Sequence, residues 1–399
     1  MKSRSSNSSN RAFSLIELLV SMSVLSLIML LVFQMLDRTQ ITWKKSRDAV
    51  SEYKDARTGF EAITRRLSQA TLNPYWAYTS NAAKIASGFK RESDLHFVSG
   101  PVANVLGTAP AGAGQRSTHA MFFHAPTGFS NLAEPAANST TQLKYKEFPN
   151  LLNAWGYFVE FGSDASDRPA FVNSLENKPR ERFRFRLMEF NQPTERLQIY
   201  NLGLRSLGTG QSVANLNAWF LNNQLYGCNC ANNYDGASAS GSNDISDRTI
   251  RVVAENIIAL ILLPSESQTA ALRADLSPNY YYDSRAWQST QIGLAGGNTN
   301  VEKSRHALPP IVEVLMVAVD EADFHRHAQN KQIDSLSKIT ECDFTKNLFT
   351  KAANLDADLA VLSKKLSDLT PEIKFRIFRA SVRLREAKWG GFTNISASN

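Results

Sequence analysis

The segment "RAFSLIELLVSMSVLSLIMLLVFQM", from Arg11 to Met35, decides the fold of this chain. Between Arg11 and Asp37 its only charged residue is Glu17. A helix of about 20 apolar residues spans the hydrocarbon core of a bilayer, so this segment is long enough to cross a membrane. A carboxylate deep in a bilayer costs about 2.5–3.5 kcal/mol, and such residues are usually functional. Glu17 is therefore the first candidate functional residue.

The apolar segment follows a polar, basic leader, "MKSRSSNSSNRA". A secretory signal peptide would have a shorter apolar region and then a small-residue cleavage site. The sequence "LDRTQITWKK" follows instead, which predicts a retained membrane anchor. The side chains expected to anchor and pack it are Leu15, Ile16, Leu18, Leu19, Val20, Leu25, Leu27, Ile28, Leu30, Leu31, Val32 and Phe33.

The orientation of the anchor does not follow from its flanking charges, because positive residues occur on both sides. A short leader before a first span favours an inside N-terminus and a translocated C-terminal part. Composition agrees with a folded head, since 43% of the 399 residues are hydrophobic and 10% aromatic. The net charge of +7 fits anionic lipid as well as nucleic acid and excludes neither.

The three cysteines offer no zinc site, because no CxxC pair or Cys/His spacing of that kind is present. Cys228 and Cys230 lie too close for an easy mutual disulfide. If the head lies outside the cytoplasm, one of them would bridge to Cys342 and leave one free thiol.

Helical spacing continues beyond the membrane segment in a stripe whose members lie three or four residues apart. Its members are Trp43, Ser46, Val50, Tyr53, Arg57, Phe60, Ile63, Thr64 and Leu67. Gly59 weakens this helix, and Pro74 ends it after Asn73. The pattern predicts one N-terminal helix of about 60 residues, roughly 90 Å long.

The remainder predicts a β-rich head. "WGYFVEF" and "RFRFRL" alternate as half-buried strands, whereas "RTIRVVAENIIALILLP" and "IVEVLMVAV" are apolar enough to be buried on both faces. We expect loops at about 100–142, 228–247 and 288–301. A leucine stripe predicts an amphipathic helix near 351–369. A last strand, "EIKFRIFRASVRLREAKW", changes phase between Ile377 and Phe378, which suggests a bulge or break.

The motif "AFSLIELLV" resembles the N-terminal methylation motif of type IV pilins and type II secretion pseudopilins. Its features are a short basic leader, a small residue before Phe13, and Glu17 four residues later. The family usually has glycine where this chain has Ala12, which still keeps a small residue there. "LPPIVEVLMVAVDEAD", "YYYDSRAWQ" and "FRASVRLREAKW" narrow the resemblance to the Verrucomicrobium/Chthoniobacter cassette protein C family.

The resemblance implies that a prepilin peptidase cuts between Ala12 and Phe13 and methylates the new amine, and that Glu17 pairs with the N-terminus of a neighbouring subunit. It also implies an α+β, lollipop-like fold in which a long transmembrane helix continues into a head of antiparallel strands. The expected layout is a leader at 1–12, a transmembrane helix at 13–36, the periplasmic half of the helix at 37–73 and a head at 74–399. The implied location is the bacterial inner membrane, single-pass, with a periplasmic head and surface exposure after assembly.

Other chemistry is weakly supported. His325 and His327 form an H-x-H beside three acidic residues, but we interpret them as surface histidines in a polar loop or helix start. Asp235, Asp244 and Asp247 match no calcium-binding loop, so a plain loop is favoured. No nucleophile or phosphate-loop motif is present, so neither enzymatic activity nor a cofactor is expected. The basic C-terminal strand makes DNA binding a weaker alternative, explained as well by a solvated strand face.

Two functions of different classes remain. The first is a pilin-like subunit that works with other pilin-like subunits in a filament, or caps it. The second is a single-pass, membrane-anchored binding module that does not polymerise. They differ in the role of Glu17, which only the first requires. A hydrolytic head is a weaker third possibility, and it would need a cluster of carboxylates or histidines that converge in the fold.

Overall fold

The computed structural model describes residues 15–80, 86–107, 114–128, 150–168, 170–194, 197–200, 217–221, 250–267, 274–285, 304–370 and 372–387. The chain divides into two compact units, Met1–Glu52 and Tyr53–Asn399. Helix α1 (Leu15–Leu67) supplies the described part of the first unit and the first fifteen residues of the second.

The second unit is mainly β. Its strands are β1 (Pro74–Ser80), β2 (Ala86–Ser93), β3 (Val98–Pro101), β4 (Gln115–Pro126), β5 (Leu152–Ser163), β6 (Phe183–Gln192), β7 (Ile250–Glu255), β8 (Ile257–Ser265), β9 (Tyr282–Asp283), β10 (Ile311–Val319) and β11 (Phe375–Arg383). Its further helices are α2 (Val102–Val105), α3 (Ala170–Asn173), α4 (Ala218–Leu221), α5 (Glu321–Asn330) and α6 (Leu355–Ser367).

Within the described residues the strands form three antiparallel sheets. The largest has six strands in the order β7-β6-β5-β4-β3-β9, a second has the order β11-β10-β8, and β1 pairs with β2 in a separate hairpin. Strands β8 and β10 are buried along their whole length. The predicted α+β fold, an apolar N-terminal helix followed by a head of antiparallel sheets, is confirmed.

The C-terminal part of α1 buries a narrow stripe within the second unit. Ala56, Phe60, Ile63 and Leu67 are 8% exposed or less, whereas the predicted stripe member Arg57 is exposed. The helix ends at Leu67 and not at Asn73 as predicted. Its last carbonyls are satisfied by tight turns over residues 68–70, after which the Thr71 amide donates to the His124 carbonyl of β4. Pairing with the sheet therefore ends the helix before proline is reached.

Gly59 lies where helix α1 packs closely against strands β6 and β7. A Cβ atom at Gly59 would lie 3.2 Å from Cγ1 of Val253 and 3.4 Å from Cδ2 of Leu187. The first distance is tighter than ordinary van der Waals contact and the second is at its lower limit, so glycine allows the helix to approach the side chains of β6 and β7 closely. The loss of helix propensity predicted for this position is offset by that close contact.

Arg66, in the last turn of α1, connects the helix to β5 and β6. Its Nη1 donates to Oη of Tyr157 at 2.6 Å and also to the carboxylate of Glu189. The guanidinium carbon lies 3.9 Å from the ring centroid of Trp155, a cation–π distance. Burial raises the pKa of Tyr157 well above its ordinary value, so the phenol stays protonated and donates to Glu189 at 2.9 Å. One charge pair, one phenol and one indole thus hold this end of the helix.

We expect Arg66→Ala to lower the free energy of unfolding by about 2–3 kcal/mol, because it leaves the Glu189 carboxylate, 11% exposed, without its cation. Arg57→Ala is the matched control, since Arg57 on the same helix pairs with Glu61 while both side chains are more than 60% exposed. An exposed pair of this kind contributes at most about 1 kcal/mol. Denaturant unfolding of the detergent-solubilised full chain measures both, and equal losses would contradict the prediction.

A bulge in β4 covers the outer edge of β8. The β4–β5 register shifts between Ser117 and Ala120, and Thr118 has a φ of 58°. The two displaced side chains turn to β8, where Oγ1 of Thr118 accepts from the Leu260 amide at 3.1 Å and Nδ1 of His119 accepts from the Leu262 amide at 3.0 Å. The edge strand β8 thus has side-chain acceptors in place of a neighbouring strand.

Three sequence predictions about strands are corrected. The run from Arg248 to Pro264 is broken at Asn256, whose φ of 59° separates β7 from the fully buried β8 in another sheet. Strand β7 is an edge strand and is only partly buried. Strand β11 pairs with β10 without a register shift, so the bulge predicted after Ile377 is wrong. The loop predicted at 100–142 contains β4, which is buried from His119 to Ala125. The polar residues in "QRSTHAMFFHAP" made this segment look like a loop.

The two longest helices after α1 follow their sequence patterns. Helix α6 buries Leu355, Leu362 and Leu366 of the leucine stripe. Helix α5 covers the H-x-H segment and begins with Asp320, whose side chain accepts from the Asp323 amide as an N-cap. The loops predicted at 228–247 and 288–301 lie outside the described residues.

Candidate functional site

The first turn of α1 carries Glu17, the charged residue of the apolar segment. The described helix begins at Leu15, so Glu17 lies where the helix dipole favours a negative charge. Ala12 and Phe13, the predicted processing junction, lie outside the described residues. What the structure shows is thus a carboxylate at the start of one continuous apolar helix.

The helix is long and apolar enough to cross a membrane over Leu15–Lys44, 30 residues or about 45 Å. None of its most apolar window is buried. The twelve predicted anchor side chains are exposed, from 49% for Val32 to 80% for Leu15. Because such side chains are unfavourable in water, this surface requires lipid or other helices around it.

The hydroxyl groups of the apolar segment are satisfied by the helix itself. Ser21 donates to the Leu18 carbonyl at 2.9 Å, Ser23 to the Val20 carbonyl at 2.8 Å, and Ser26 to the Ser23 carbonyl at 2.9 Å. A hydroxyl bonded in this way brings no unsatisfied polar group into lipid. These serines are therefore compatible with a membrane span, and Glu17 remains its distinctive polar residue.

One face of the helix combines Glu17 with small and medium side chains. Val20, Ser21, Val24 and Ile28 follow it at three- or four-residue steps and line a shallow groove with it. Residues at these steps share one helix face. A second helix packed on this face would contact the carboxylate and the apolar groove together.

The head contains a buried hydrogen-bonded chain that sequence reasoning missed. Nε1 of Trp219 donates to Nδ1 of His96 at 3.0 Å, and Nε2 of His96 donates to Oδ1 of Asp283 at 2.6 Å. Tyr281 donates to the other oxygen of Asp283 at 3.1 Å. Trp219, His96 and Asp283 are each 4% exposed or less. Burial lowers the pKa of His96. His96 lies more than 120 positions from both Trp219 and Asp283, so no local pattern could predict these contacts.

Among the residues that the structure describes, this buried group connects strands and a helix. A His–Asp pair orients a general base only when the base can reach a substrate, and His96 is fully buried. His124 packs on Trp219 with ring centroids 4.5 Å apart, and its Nδ1 donates to the His96 carbonyl at 3.2 Å. Nε1 of Trp219, both ring nitrogens of His96 and Nδ1 of His124 have hydrogen-bond partners. Nε2 of His124 has none among the described residues. The cluster thus links β4, α4 and β9 to His96, which lies two residues before β3.

The H-x-H segment does not converge on a metal site. His325 is exposed on α5, but His327 is 4% exposed, so the prediction that both are surface histidines is wrong for His327. Residues two apart on a helix point in different directions, which explains the difference. Among the residues that the structure describes, no group of three or more His, Cys, Asp or Glu side chains could hold a metal ion.

The Cys342 side chain is fully buried and has no disulfide partner among the described residues. Burial raises its pKa to about 12, so it is almost wholly protonated at neutral pH and is a poor nucleophile. Cys228 and Cys230 lie outside the described residues, as do Asp235, Asp244 and Asp247. The disulfide to Cys342 stays a prediction.

Two basic residues of β11, Arg376 and Arg379, have partners within the head. Arg379 donates to Glu313 at 2.5 Å and to Asp356 at 2.9 Å. The guanidinium of Arg376 lies 5.8 Å from the ring centroid of Tyr53. Two positive charges of the predicted stripe are thus engaged inside the molecule, which weakens the argument for a phosphate-binding surface.

Comparison with known families agrees with the N-terminal geometry. Residues 7–33 match the prokaryotic N-terminal methylation motif. No curated protein and no solved structure matches the chain. The chain therefore carries the N-terminal methylation motif of pilin- and pseudopilin-type proteins, at the start of an apolar helix that is long enough to span a membrane.

Proposed function

We propose that this chain is a pilin-like (pseudopilin) subunit, processed by prepilin peptidase between Ala12 and Phe13. It then enters, or caps, a filament of the type IV pilus or type II secretion kind, for export or surface assembly. The observation that supports this function best is the methylation motif at 7–33 joined to a continuous helix with Glu17 in its first turn. We also propose that, among pilin-like proteins, the chain is most like the Verrucomicrobium/Chthoniobacter cassette protein C family.

The chemistry of the proposal lies in assembly. Cleavage would give Phe13 a positively charged amine one turn before Glu17 of the same chain. In a bundle of such helices, the carboxylate of one subunit meets the amine of its neighbour, and the pair offsets the cost of holding either charge in apolar surroundings. Because charge pairing of this kind requires one axial position, Glu17 sets the register of the helices.

The exposed apolar surface suits both states of such a subunit. Lipid tails and apolar helix faces solvate leucine about equally, so transfer from bilayer to bundle changes the burial of these side chains little. We propose an anchor at 13–36 in the inner membrane, with residues 37–73 and the head at 74–399 in the periplasm. The partners are the peptidase and other pilin-like subunits.

Mass spectrometry of the N-terminal peptide of the membrane-extracted chain tests the processing step. In a host with an active prepilin peptidase, we expect the chain to begin at methylated Phe13. The same host without the peptidase is the control, and there the leader should remain. A chain that still begins at Met1 or Lys2 in the presence of active peptidase would overturn the proposal.

A further inference from the structure

The part of α1 that follows the apolar segment combines positive charge with an exposed indole ring. Residues 38–47, "RTQITWKKSR", contain four basic residues and no acidic one. Trp43 is 72% exposed, and its neighbours Lys44 and Arg47 are also exposed. An exposed tryptophan between cations is unfavourable in water but suits the boundary between lipid and water, where the ring meets apolar groups and the cations meet phosphates.

The axial position of Trp43 matches the second headgroup layer of a bilayer. The charge-free run between Glu17 and Asp37 rises about 30 Å along the helix, which is the thickness of the hydrocarbon core. Trp43 lies about 9 Å farther along the axis, and helical side chains lean back toward the N-terminus. Its ring therefore lies among the headgroups, which add about 5–8 Å at each face of the bilayer.

The helical turns between the apolar run and Trp43 are compatible with this position. The hydroxyl of Thr39 donates to the Met35 carbonyl at 2.7 Å, and that of Thr42 donates to the Arg38 carbonyl at 2.9 Å. Hydroxyls bonded to their own helix need no water, so they can lie in a partly dehydrated layer. The helix thus reaches Trp43 without bringing an unsatisfied hydroxyl into the membrane interface.

We propose that Trp43, Lys44 and Arg47 form an interfacial anchor that binds the headgroups of anionic phospholipids. The indole ring occupies the headgroup layer, and the two cations reach back to lipid phosphates. Each basic residue close to an anionic membrane surface raises the affinity by about fivefold. The membrane contact of α1 thus extends about three helical turns beyond Leu36. This inference rests on the membrane anchor of the proposed function, but it requires neither processing nor assembly.

Continuity with the apolar helix is the reason that lipid is the partner. Leu36, Trp43 and Arg47 are spaced by seven and four residues, so the ring and the cation continue one face of the apolar helix. A helix inserted to its full apolar length carries these residues to the headgroups. The charge of 38–47 complements phosphate, whereas a soluble acidic partner would have to displace lipid that is already in place.

Fluorescence quenching by brominated lipids, with the full chain reconstituted in phosphatidylcholine vesicles, tests the position of Trp43. The chain contains six tryptophans, so the measured quantity is the quenching that one substitution removes. Lipid brominated near the headgroup end of its tails should quench the wild-type chain, and Trp43→Phe should remove most of that quenching. Trp76→Phe is the matched control, because Trp76 is 57% exposed in the head, and it should leave the quenching unchanged. Quenching that persists in W43F would overturn the proposal.

The same measurement tests the preference for anionic headgroups. At one mole fraction, brominated phosphatidylglycerol should quench Trp43 with about fivefold higher affinity than brominated phosphatidylcholine, and high salt should lower this ratio. Lys44→Gln combined with Arg47→Gln should bring the ratio close to one. The matched control is Lys54→Gln combined with Arg57→Gln, an exposed pair of the same spacing farther along α1, which should leave the ratio unchanged. Equal quenching of the wild-type chain by both lipids, or equal effects of the two double variants, would overturn the proposal.

A third variant separates this inference from the membrane anchor on which it rests. Leu27 lies midway between Glu17 and Asp37 and is 61% exposed, so Leu27→Trp in the Trp43→Phe background places an indole at the bilayer centre. Lipid brominated deep in its tails should quench that indole strongly. Quenching of L27W without any quenching of Trp43 in the wild-type chain would overturn the interfacial anchor and leave the membrane span intact. Absence of both would overturn the span as well.

Discussion

We expect replacement of Glu17 by alanine to abolish assembly while the chain stays in the membrane. Glu17 is the one charged residue between Arg11 and Asp37, and the proposed function pairs it with the amine of a neighbouring subunit. Removing one partner of a pair in apolar surroundings costs about 3 kcal/mol, on the order of 100-fold in association. The measurement is the amount of chain in sheared or sedimented filaments relative to the amount in membranes.

Two variants sharpen this test. Ser21→Ala changes the same helix face one turn later and removes a hydroxyl that is already bonded to the Leu18 carbonyl, so we expect normal assembly. Glu17→Gln keeps the shape and polarity but removes the charge, so it should fail as Glu17→Ala does. Normal assembly of E17A would reject the role of Glu17, and failure of S21A would show that the whole face is sensitive.

The second large effect is a loss of head stability in mild acid. Burial lowers the pKa of His119 to about 4 and that of His124 to about 3. An unfolded histidine takes up a proton near pH 6.5, whereas these two in the fold do not until much lower pH. Their contribution to stability is therefore complete above pH 6.5 and is lost as the pH falls toward 4 and 3.

The size of the loss follows from linkage. Each such histidine lowers the free energy of unfolding by about 1.4 kcal/mol per pH unit below pH 6.5. Between pH 6.5 and pH 5 the two together account for roughly 4 kcal/mol, a large share of the stability of an ordinary domain. His306, whose pKa burial lowers to about 4, acts in the same direction.

Denaturant unfolding of the full chain between pH 7.5 and pH 5 measures this dependence. His119→Gln removes one titrating group while its amide oxygen can accept from the Leu262 amide, so the pH dependence should weaken by about one histidine's share. His325→Gln is the control, because His325 is exposed on α5. A pH dependence that H119Q leaves as steep as before would show that His119 is not responsible.

Sequence patterns predicted helices and strands correctly where the burial of an element follows from the spacing of its own apolar residues. Helix α6 buries leucines at the predicted spacing, and β5 and β10 coincide with their apolar runs. The patterns failed where the backbone conformation of one residue, or the position of a neighbouring strand, decides which sheet a segment joins and which residues are buried. Asn256 divides one apolar run between two sheets, and the bulge at Thr118 turns a polar-looking segment into a central strand. His327 is buried because α5 directs it away from His325.

The sequence by itself determined the N-terminal segment, because its motif and its apolar length act locally and need no partner within the chain. Glu17, the apolar segment around it and the methylation motif at 7–33 all follow from adjacent residues. Tertiary structure alone decided the Arg66 contacts and the buried His96–Asp283 pair. These depend on which distant strands become neighbours, and that is fixed by the packing of the whole head rather than by any local period.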